Sequence, residues 1–140
     1  MKKIISLLLV IVVVFVSFAA CGGSNNEDEI ETTTRPAAQT VALGTIYNDM
    51  TENFVKAQKT YSGKVYSFTA TVHEIYEWYV FANLSDESGT VSNITISFLN
   101  SDDILEFSNG DTIKVEGYIE FYNDGRGLGF DIEEAVLIKE

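Results

Sequence analysis

Residues 101–110 read SDDILEFSNG and predict a short helical turn in a chain that is otherwise rich in strands. The Ser-Asp-Asp at the start of the segment is a typical helix cap. Ile104, Leu105 and Phe107 supply an apolar side, and the Asn-Gly pair at its end is a turn signal. We therefore expect one short helix in the second half of the chain, and its place among the neighbouring strands decides the fold.

Five stretches around this turn are rich in β-branched and aromatic residues with alternating polarity, which is typical of strands. They are residues 64–76, 78–84, 91–99, 112–122 and 128–138. Asn123-Asp124-Gly125 predicts a hairpin between the last two. Ile75 breaks the alternation of the first strand and predicts a bulge near His73 and Glu74. Five strands with a short helix between the third and fourth predict a mainly β, five-stranded OB-fold barrel.

One helix is predicted before the first strand. Ile46, Met50, Phe54 and Ala57 recur at helical spacing, which indicates an amphipathic helix over residues 45–59. Thr45 is a suitable N-cap for this helix. We expect its apolar side to pack on the barrel.

The N-terminus carries a membrane-targeting pattern. Met1-Lys2-Lys3 is followed by an apolar run over residues 4–20 and by Cys21, the only cysteine. As a helix this run spans roughly 25 Å, short of a hydrocarbon core of about 30 Å. The layout resembles a bacterial lipoprotein signal peptide ending in a lipobox. This resemblance implies that residues 1–20 are a signal peptide and that Cys21 takes a lipid. It also implies anchoring at the cell membrane on the extracytoplasmic side; an uncleaved anchor with an idle Cys21 is the alternative.

A polar, acidic segment follows the cysteine. Residues 22–39 read GGSNNEDEIETTTRPAAQ, with Ile30 as the one large apolar residue. Such a composition cannot bury enough surface to offset its conformational entropy. We therefore predict that residues 21–40 are the lipidated cysteine with a disordered linker and that residues 41–140 form the folded domain.

The folded part resembles the tRNA_anti-like OB-fold domains across residues 41–140. The fourth-strand motif is NGDTIKVEG at residues 109–117, and the other matching residues are Ile46-Tyr47, Asn53, Ala57, Tyr61, Gly63-Lys64-Val65 and Phe68-Thr69-Ala70-Thr71-Val72. The resemblance implies an OB fold in a family that is common among secreted or lipid-anchored bacterial proteins. The family name records a similarity of fold to anticodon-binding domains and does not establish RNA binding.

The charge of the chain is strongly negative. It has 9 basic and 21 acidic residues, for a formal net charge of −12. Loss of residues 1–20 would remove two lysines and no acid, which takes −12 to −14. Nucleic-acid affinity is driven largely by Lys and Arg that displace counterions from phosphates. We therefore expect nucleic acid not to be a partner.

Aromatic residues near the second strand are the candidate ligand-binding residues: Tyr76, Trp78, Tyr79 and Phe81. OB-folds bind their ligands on the face of strands two and three. Each aromatic alone could instead fill the core. Because alternation places Tyr79 and Phe81 on the face opposite Val80, we predict one partly exposed aromatic patch that stacks on sugar rings or grips a peptide.

Catalytic and metal-binding patterns are lacking in the sequence. His73 is the only histidine, and no G-x-S-x-G nucleophile motif is present. Zinc usually needs several His or Cys ligands. The carboxylates Asp124, Asp131, Glu133 and Glu134 do not form a calcium loop. We therefore predict a protein that is not an enzyme and has no cofactor or metal.

Two functions remain open from the sequence. The first is a membrane-anchored, non-catalytic OB-fold module that binds a glycan, a peptide or an envelope component. The second is a structural or inhibitory module that docks on another protein. An exposed aromatic groove with polar neighbours would favour the first, and a flat apolar patch of several hundred Å² would favour the second.

Overall fold

Five strands close into a barrel in the computed structural model, which describes residues 34–139. The strand order around the barrel is β1-β2-β3-β5-β4. The strands are β1 (Val65–Ile75), β2 (Tyr79–Asp86), β3 (Gly89–Phe98), β4 (Thr112–Asp124) and β5 (Gly127–Leu137), and a 3-10 helix (Ser101–Glu106) lies between β3 and β4. This arrangement confirms the predicted OB-fold barrel.

The strand pairing and the burial of side chains agree with the alternation of apolar and polar residues. β2 pairs antiparallel with β1 and β3, while β3 and β5 run parallel. The register of β1 against β2 shifts between Val72 and Glu74, which confirms the predicted bulge. Inward residues of β2, such as Val80, Ala82 and Leu84, are fully buried, and the residues between them are half-exposed. The outer face of β2 and β3 is therefore available to a ligand.

The segment before β1 forms two helices instead of the predicted one. They are α1 (Leu43–Glu52) and α2 (Phe54–Tyr61). Asn53 between them has extended backbone angles, and its side-chain oxygen accepts a hydrogen bond from the N–H of Lys56 at 3.0 Å. An asparagine that caps a new helix in this way interrupts the old one. Ile46 and Met50 of α1 are buried in the core, as predicted.

The start of α1 also differs from the prediction. The helix begins at Leu43, so Thr45 lies inside it and not at its cap. The carboxylate of Asp86 accepts a hydrogen bond from the N–H of Leu43 at 2.7 Å, and the Ser88 hydroxyl accepts one from the N–H of Gly44 at 2.8 Å. The β2–β3 turn thus supplies the cap from a distant part of the chain and fixes α1 over one end of the barrel.

Residues 34–40 lie against the barrel, although the sequence predicted them as part of a disordered linker. The N–H of Gln39 donates to the carbonyl of Val65 at 2.8 Å. The guanidinium of Arg35 donates to the carbonyls of Glu134 and Glu116, each at 2.8 Å. Main-chain pairing and the two hydrogen bonds of a half-buried guanidinium compensate for the polar composition here. The predicted signal peptide, Cys21 and residues 22–33 lie outside the described residues.

Within residues 34–139, no helix has both the length and the apolar character needed to cross a membrane.

Candidate ligand-binding face

Three of the four predicted aromatic residues meet on the outer surface of the barrel. We call Tyr76, Tyr79 and Phe81 the aromatic cluster. The rings of Tyr76 and Tyr79 stack with centroids 4.8 Å apart, and Phe81 meets them edge-on at 5.7 and 5.6 Å. The N–H of Tyr76 donates to the carbonyl of Tyr79 at 2.9 Å, which fixes the loop that carries the cluster. Tyr76 is 43% exposed, so the cluster is open to solvent.

Trp78 lies in the same loop and extends into solvent. It is 62% exposed, and its carbonyl accepts a hydrogen bond from the N–H of Phe98 at 3.2 Å. This bond anchors the loop to the end of β3. The indole ring is the most exposed of the four predicted aromatic side chains.

A strip of outward side chains follows β3 beside the aromatic cluster. Thr95 and Ser97 point outward from β3 and pair across the ladder with Phe81 and Tyr79 of β2. On the other side, β5 places Asp131 beside Thr95 and Glu133 beside Ser97. Because adjacent strands lie about 4.8 Å apart, the aromatic and acidic walls are roughly 10 Å apart. We call this feature the β3 channel: its floor is short and hydroxylated, one wall is aromatic and the other is acidic.

The acidic wall is electrostatically strained at Glu133. Burial raises the pKa of this carboxyl, the Ser97 hydroxyl lowers it by a hydrogen bond, and the charges of Asp131, Glu120 and Glu134 raise it further. A raised pKa means that the folded protein disfavours the charged carboxylate. Glu133 is thus a half-buried carboxylate with three like charges nearby.

Arg126 stands at the opposite end of the acidic wall. Its guanidinium bonds the carboxylate of Asp131 at 3.0 Å and that of Asp124 at 3.2 Å. It also lies 3.7 Å from the ring centroid of Tyr122. A Cβ at Gly129 would approach the ring carbon Cζ of Tyr122 to 2.5 Å, so the glycine is what lets this ring lie flat on β5. The two carboxylates hold Arg126 in place and raise its pKa.

A second part of the face is an open cleft of about 600 Å³ next to Phe81, lined by His73, Glu74, Phe81, Asn83, Ser92 and Asn93. The side-chain oxygen of Asn83 accepts a hydrogen bond from the N–H of Asn93 at 3.2 Å. Asn93 has a φ of 58°, in the left-handed region that asparagine tolerates. The β2–β3 register shifts at this point, and the shift turns amide groups towards the ligand face.

Another cleft, of about 440 Å³, lies between α1 and the start of β3 and β5. Tyr47 and Leu128 stand at its mouth, and the buried Met50, Ile94 and Phe130 form its floor. None of the residues that line it is charged. This cleft is the gap that remains where α1 covers the end of the barrel. The β3 channel, in contrast, offers a ligand both aromatic and charged groups. The candidate site is therefore the β3 channel.

Sequence reasoning missed the floor and the acidic wall of this site. Thr95 and Ser97 alternate with Ile94, Ile96 and Phe98, so the same parity that identified the core also marks them as outward. Asp131 and Glu133 flank the buried Ile132 in the same way. From the sequence we considered these acids only as calcium ligands, yet Asp131 is 8% exposed and lies beside Thr95. Among residues 34–139, no three His, Cys, Asp or Glu side chains are placed to hold a metal ion.

A solved structure has the same fold. It is a lipoprotein from Klebsiella pneumoniae subsp. pneumoniae, described as a "putative nucleic acid-binding lipoprotein". The TM-score is 0.52 at 19% sequence identity, and the match covers 73% of this chain and 92% of that chain. No curated protein matches the chain.

The structural match corrects one prediction. We expected nucleic acid not to be a partner, and the description of the Klebsiella pneumoniae protein contradicts this. The expectation was wrong because the formal charge of −12 belongs to the whole chain and does not fix the ligand of one face. Aromatic side chains that stack on bases also supply affinity that phosphate contacts alone do not account for.

The family of the chain follows from a match over most of its length. The family model described as tRNA_anti-like matches residues 1–128, which extend from the N-terminus to the start of β5. The match includes the fourth-strand motif at residues 109–117, from which the resemblance was first inferred. With the closed barrel and the helix between β3 and β4, this shows that the chain belongs to the tRNA_anti-like family.

Proposed function

We propose that the barrel is a non-catalytic binding module that holds an extended ligand along the β3 channel, and that this ligand is a glycan, a peptide or another component of the cell envelope. One observation carries the proposal. The exposed Tyr76 and the half-buried rings of Tyr79 and Phe81 lie one strand away from Thr95 and Ser97, which have the acidic residues of β5 on their other side. A strip about 10 Å across accommodates one extended chain.

The chemistry of the two walls supports this class of ligand. Flat aromatic rings stack on the apolar faces of sugars or on side chains of a peptide. Carboxylates accept hydrogen bonds from hydroxyl or amide groups, and charge-assisted bonds of this kind are the stronger ones. The amides of Asn83 and Asn93 add donors and acceptors at the end of the channel.

We also propose that a lipid on Cys21 anchors the module to the cell membrane, on its extracytoplasmic side. The support is the signal-peptide pattern of residues 1–21 and the lipoprotein nature of the structural neighbour. Labelling of cells with a clickable palmitate should mark the wild-type protein and leave a Cys21→Ser variant unmarked. Equal labelling of both proteins would refute the anchor.

A nucleic-acid strand is the second candidate ligand. It is favoured by the description of the Klebsiella pneumoniae protein and by the stacked pair Tyr76–Tyr79, which offers rings to unpaired bases. The two candidates differ in how binding responds to salt, because the affinity of a protein for a nucleic acid falls steeply as the salt concentration rises.

One binding array separates these candidates. The protein is probed with glycans, envelope extract and single-stranded oligonucleotides at two salt concentrations. We expect Tyr79→Ala and Phe81→Ala to abolish binding of the true ligand. Leu105→Ala is the matched control, since Leu105 is 83% exposed on the 3-10 helix and is not one of the residues of the β3 channel. Unchanged binding in both aromatic variants would exclude the β3 channel as the site.

A further inference from the structure

We propose that the ligand of the β3 channel is a cationic peptide, an extended segment that carries Lys or Arg side chains. This inference rests on the proposed function and specifies the chemistry of its ligand. It is carried by the distribution of charge and of arginine–aromatic contacts around the barrel.

The face carries carboxylates that lack a cation. Within residues 34–139, ion pairs join Arg126 to Asp124 and Asp131, and Lys139 to Glu106. Glu74, Glu120 and Glu133 all belong to the outer face of the barrel and take part in none of these pairs. Glu74 accepts a hydrogen bond from the Tyr76 hydroxyl at 2.7 Å, which places a charge directly beside the aromatic cluster. A ligand with positive charge would supply the missing partner.

The aromatic residues of the outer surface also divide into those with a cation beside them and those without one. On β4, the ring of Tyr118 has the guanidinium of Arg35 at 5.1 Å, and the ring of Tyr122 has that of Arg126 at 3.7 Å. No such contact is formed by the rings of the aromatic cluster in the part of the chain that the structure describes. Both outward tyrosines of β4 thus have a cation beside them, whereas Tyr76 and Tyr79 have none among the described residues.

Geometry allows one cation to use both walls. A cation that lies over Ser97 is roughly one strand spacing, about 4.8 Å, from Tyr79 on one side and from Glu133 on the other. A cation within about 6 Å of an aromatic centroid gains from the ring quadrupole. Asp131 of the acidic wall is already paired with Arg126, so the carboxylates without a cation are Glu133 on β5 and Glu74 on β1, on either side of the aromatic cluster. Two separated charges of this kind favour an extended chain with several positive side chains over a single small ion.

The test uses the full-length protein in detergent and fluorescence anisotropy. The probe is a labelled peptide of about ten residues, the length of β3, with alternating Lys and Gly. A peptide of alternating Glu and Gly, a neutral chitin oligosaccharide and an oligo-dT strand are the comparison probes. We expect the Lys peptide to bind at least about tenfold more tightly than the Glu peptide, and its affinity to fall as salt increases.

Two variants connect binding to the two walls. Glu133→Gln should weaken the Lys peptide about tenfold and reduce its dependence on salt, and Tyr79→Leu should weaken it while keeping an apolar side chain. Glu106→Gln, on the 3-10 helix, is the matched control and should change nothing. Circular dichroism verifies that each variant is folded.

The outcomes distinguish the inference from the proposed function. If the oligosaccharide or oligo-dT binds with loss in Tyr79→Leu and the Lys peptide does not bind, the cationic ligand is refuted and the β3 channel remains the site. If the Lys peptide binds equally well to Glu133→Gln, Tyr79→Leu and the wild type, both the inference and the channel are refuted.

Discussion

Asp131 bridges the point where β3 and β5 separate, because its Oδ1 accepts a hydrogen bond from the N–H of Thr95 at 3.0 Å. The parallel pairing of the two strands is formed at Ile96–Ile132 and at Phe98–Ala135. One residue before this pairing begins, a side-chain carboxylate takes the place of a backbone carbonyl. Its other oxygen accepts a hydrogen bond from Arg126, so the carboxylate joins β3 and β5 to the β4–β5 turn.

This contact predicts the effect of substitution at Asp131. Asp131→Ala leaves the N–H of Thr95 without its acceptor, and we expect the free energy of unfolding to fall by about 1.5–3 kcal/mol. Asp131→Asn retains a side-chain oxygen and should lose less. Urea denaturation measures both. Asp124→Asn removes the exposed carboxylate of the same arginine and should have a smaller effect than Asp131→Ala; an equal effect would assign the stability to the ion pair instead.

Gly117 is the position on β4 where a side chain does not fit. A Cβ there would clash with Cγ2 of Ile132 and come within 3.0 Å of the Glu133 carbonyl oxygen. Overpacking of this kind costs about 1–3 kcal/mol, so Gly117→Ala should lower the midpoint of urea unfolding. Gly125→Ala in the β4–β5 turn is the control, since a Cβ there meets nothing within 4 Å. Similar midpoints for the two variants would contradict this prediction.

The barrel could be predicted because the alternation of apolar and polar residues within each strand shows which side chains are buried. Alternation is strict in β2 and in the second half of β3, from Ile94 to Phe98. Asn123-Asp124-Gly125 marks the β4–β5 hairpin without reference to the rest of the fold. The break between α1 and α2 could not be predicted from apolar spacing, because Asn53 interrupts the helix without changing the phase of its apolar side. The carboxylate of Asp86 caps the helix at Leu43 from 43 residues away in the sequence. Local sequence patterns therefore do not predict this helix start.

The sequence predicted the aromatic side of the candidate site but not its acidic side. The aromatic cluster follows from the alternation of Tyr79 and Phe81 with the buried Val80, which is local information. The acidic wall depends on which strand lies next to β3, and that neighbour is β5, about 35 residues later in the chain. The sequence alone therefore does not place Asp131 and Glu133 beside Thr95 and Ser97; the parallel pairing of β3 and β5 does.

Tyr61 should make the stability of the barrel sensitive to alkaline pH. Burial, followed by its hydrogen bond to Asp49 at 2.5 Å, raises the pKa of Tyr61 from 10.0 to about 12. Because the folded protein favours the neutral phenol, this contribution is complete below pH 10 and is lost as the pH rises towards 12.

Tyr61→Phe isolates this effect. At neutral pH the variant should be less stable by about 1 kcal/mol, through loss of one hydrogen bond. The difference between the two proteins should shrink as the pH rises above 10, since the wild type alone loses the contribution of Tyr61. Tyr66 and Tyr122, whose pKa burial also raises, are present in both proteins and cancel. Urea denaturation at pH steps provides the measurement, and a constant difference would contradict the prediction.

Substitution of Glu133 by Gln should raise the stability of the protein and weaken its binding of the Lys peptide. Burial is the main cause that raises its pKa above the ordinary 4.5. The folded state is thus favoured while the carboxyl is neutral, and this advantage is lost as the pH rises through the raised pKa. At neutral pH the wild type carries an unfavourable charge that Glu133→Gln lacks, so the variant should be the more stable protein. Below pH 4.5 the two should converge.

Measurement of unfolding free energies at acidic and neutral pH tests this prediction, with Glu106→Gln as the control whose paired, exposed carboxylate lacks the burial that acts on Glu133. The same Glu133→Gln protein should bind the Lys peptide more weakly, because the charge that costs stability is the one that faces the ligand. A stabilised variant with reduced binding assigns the carboxylate to function. A variant that is no more stable at neutral pH would mean that the charge of Glu133 is already compensated within the folded chain.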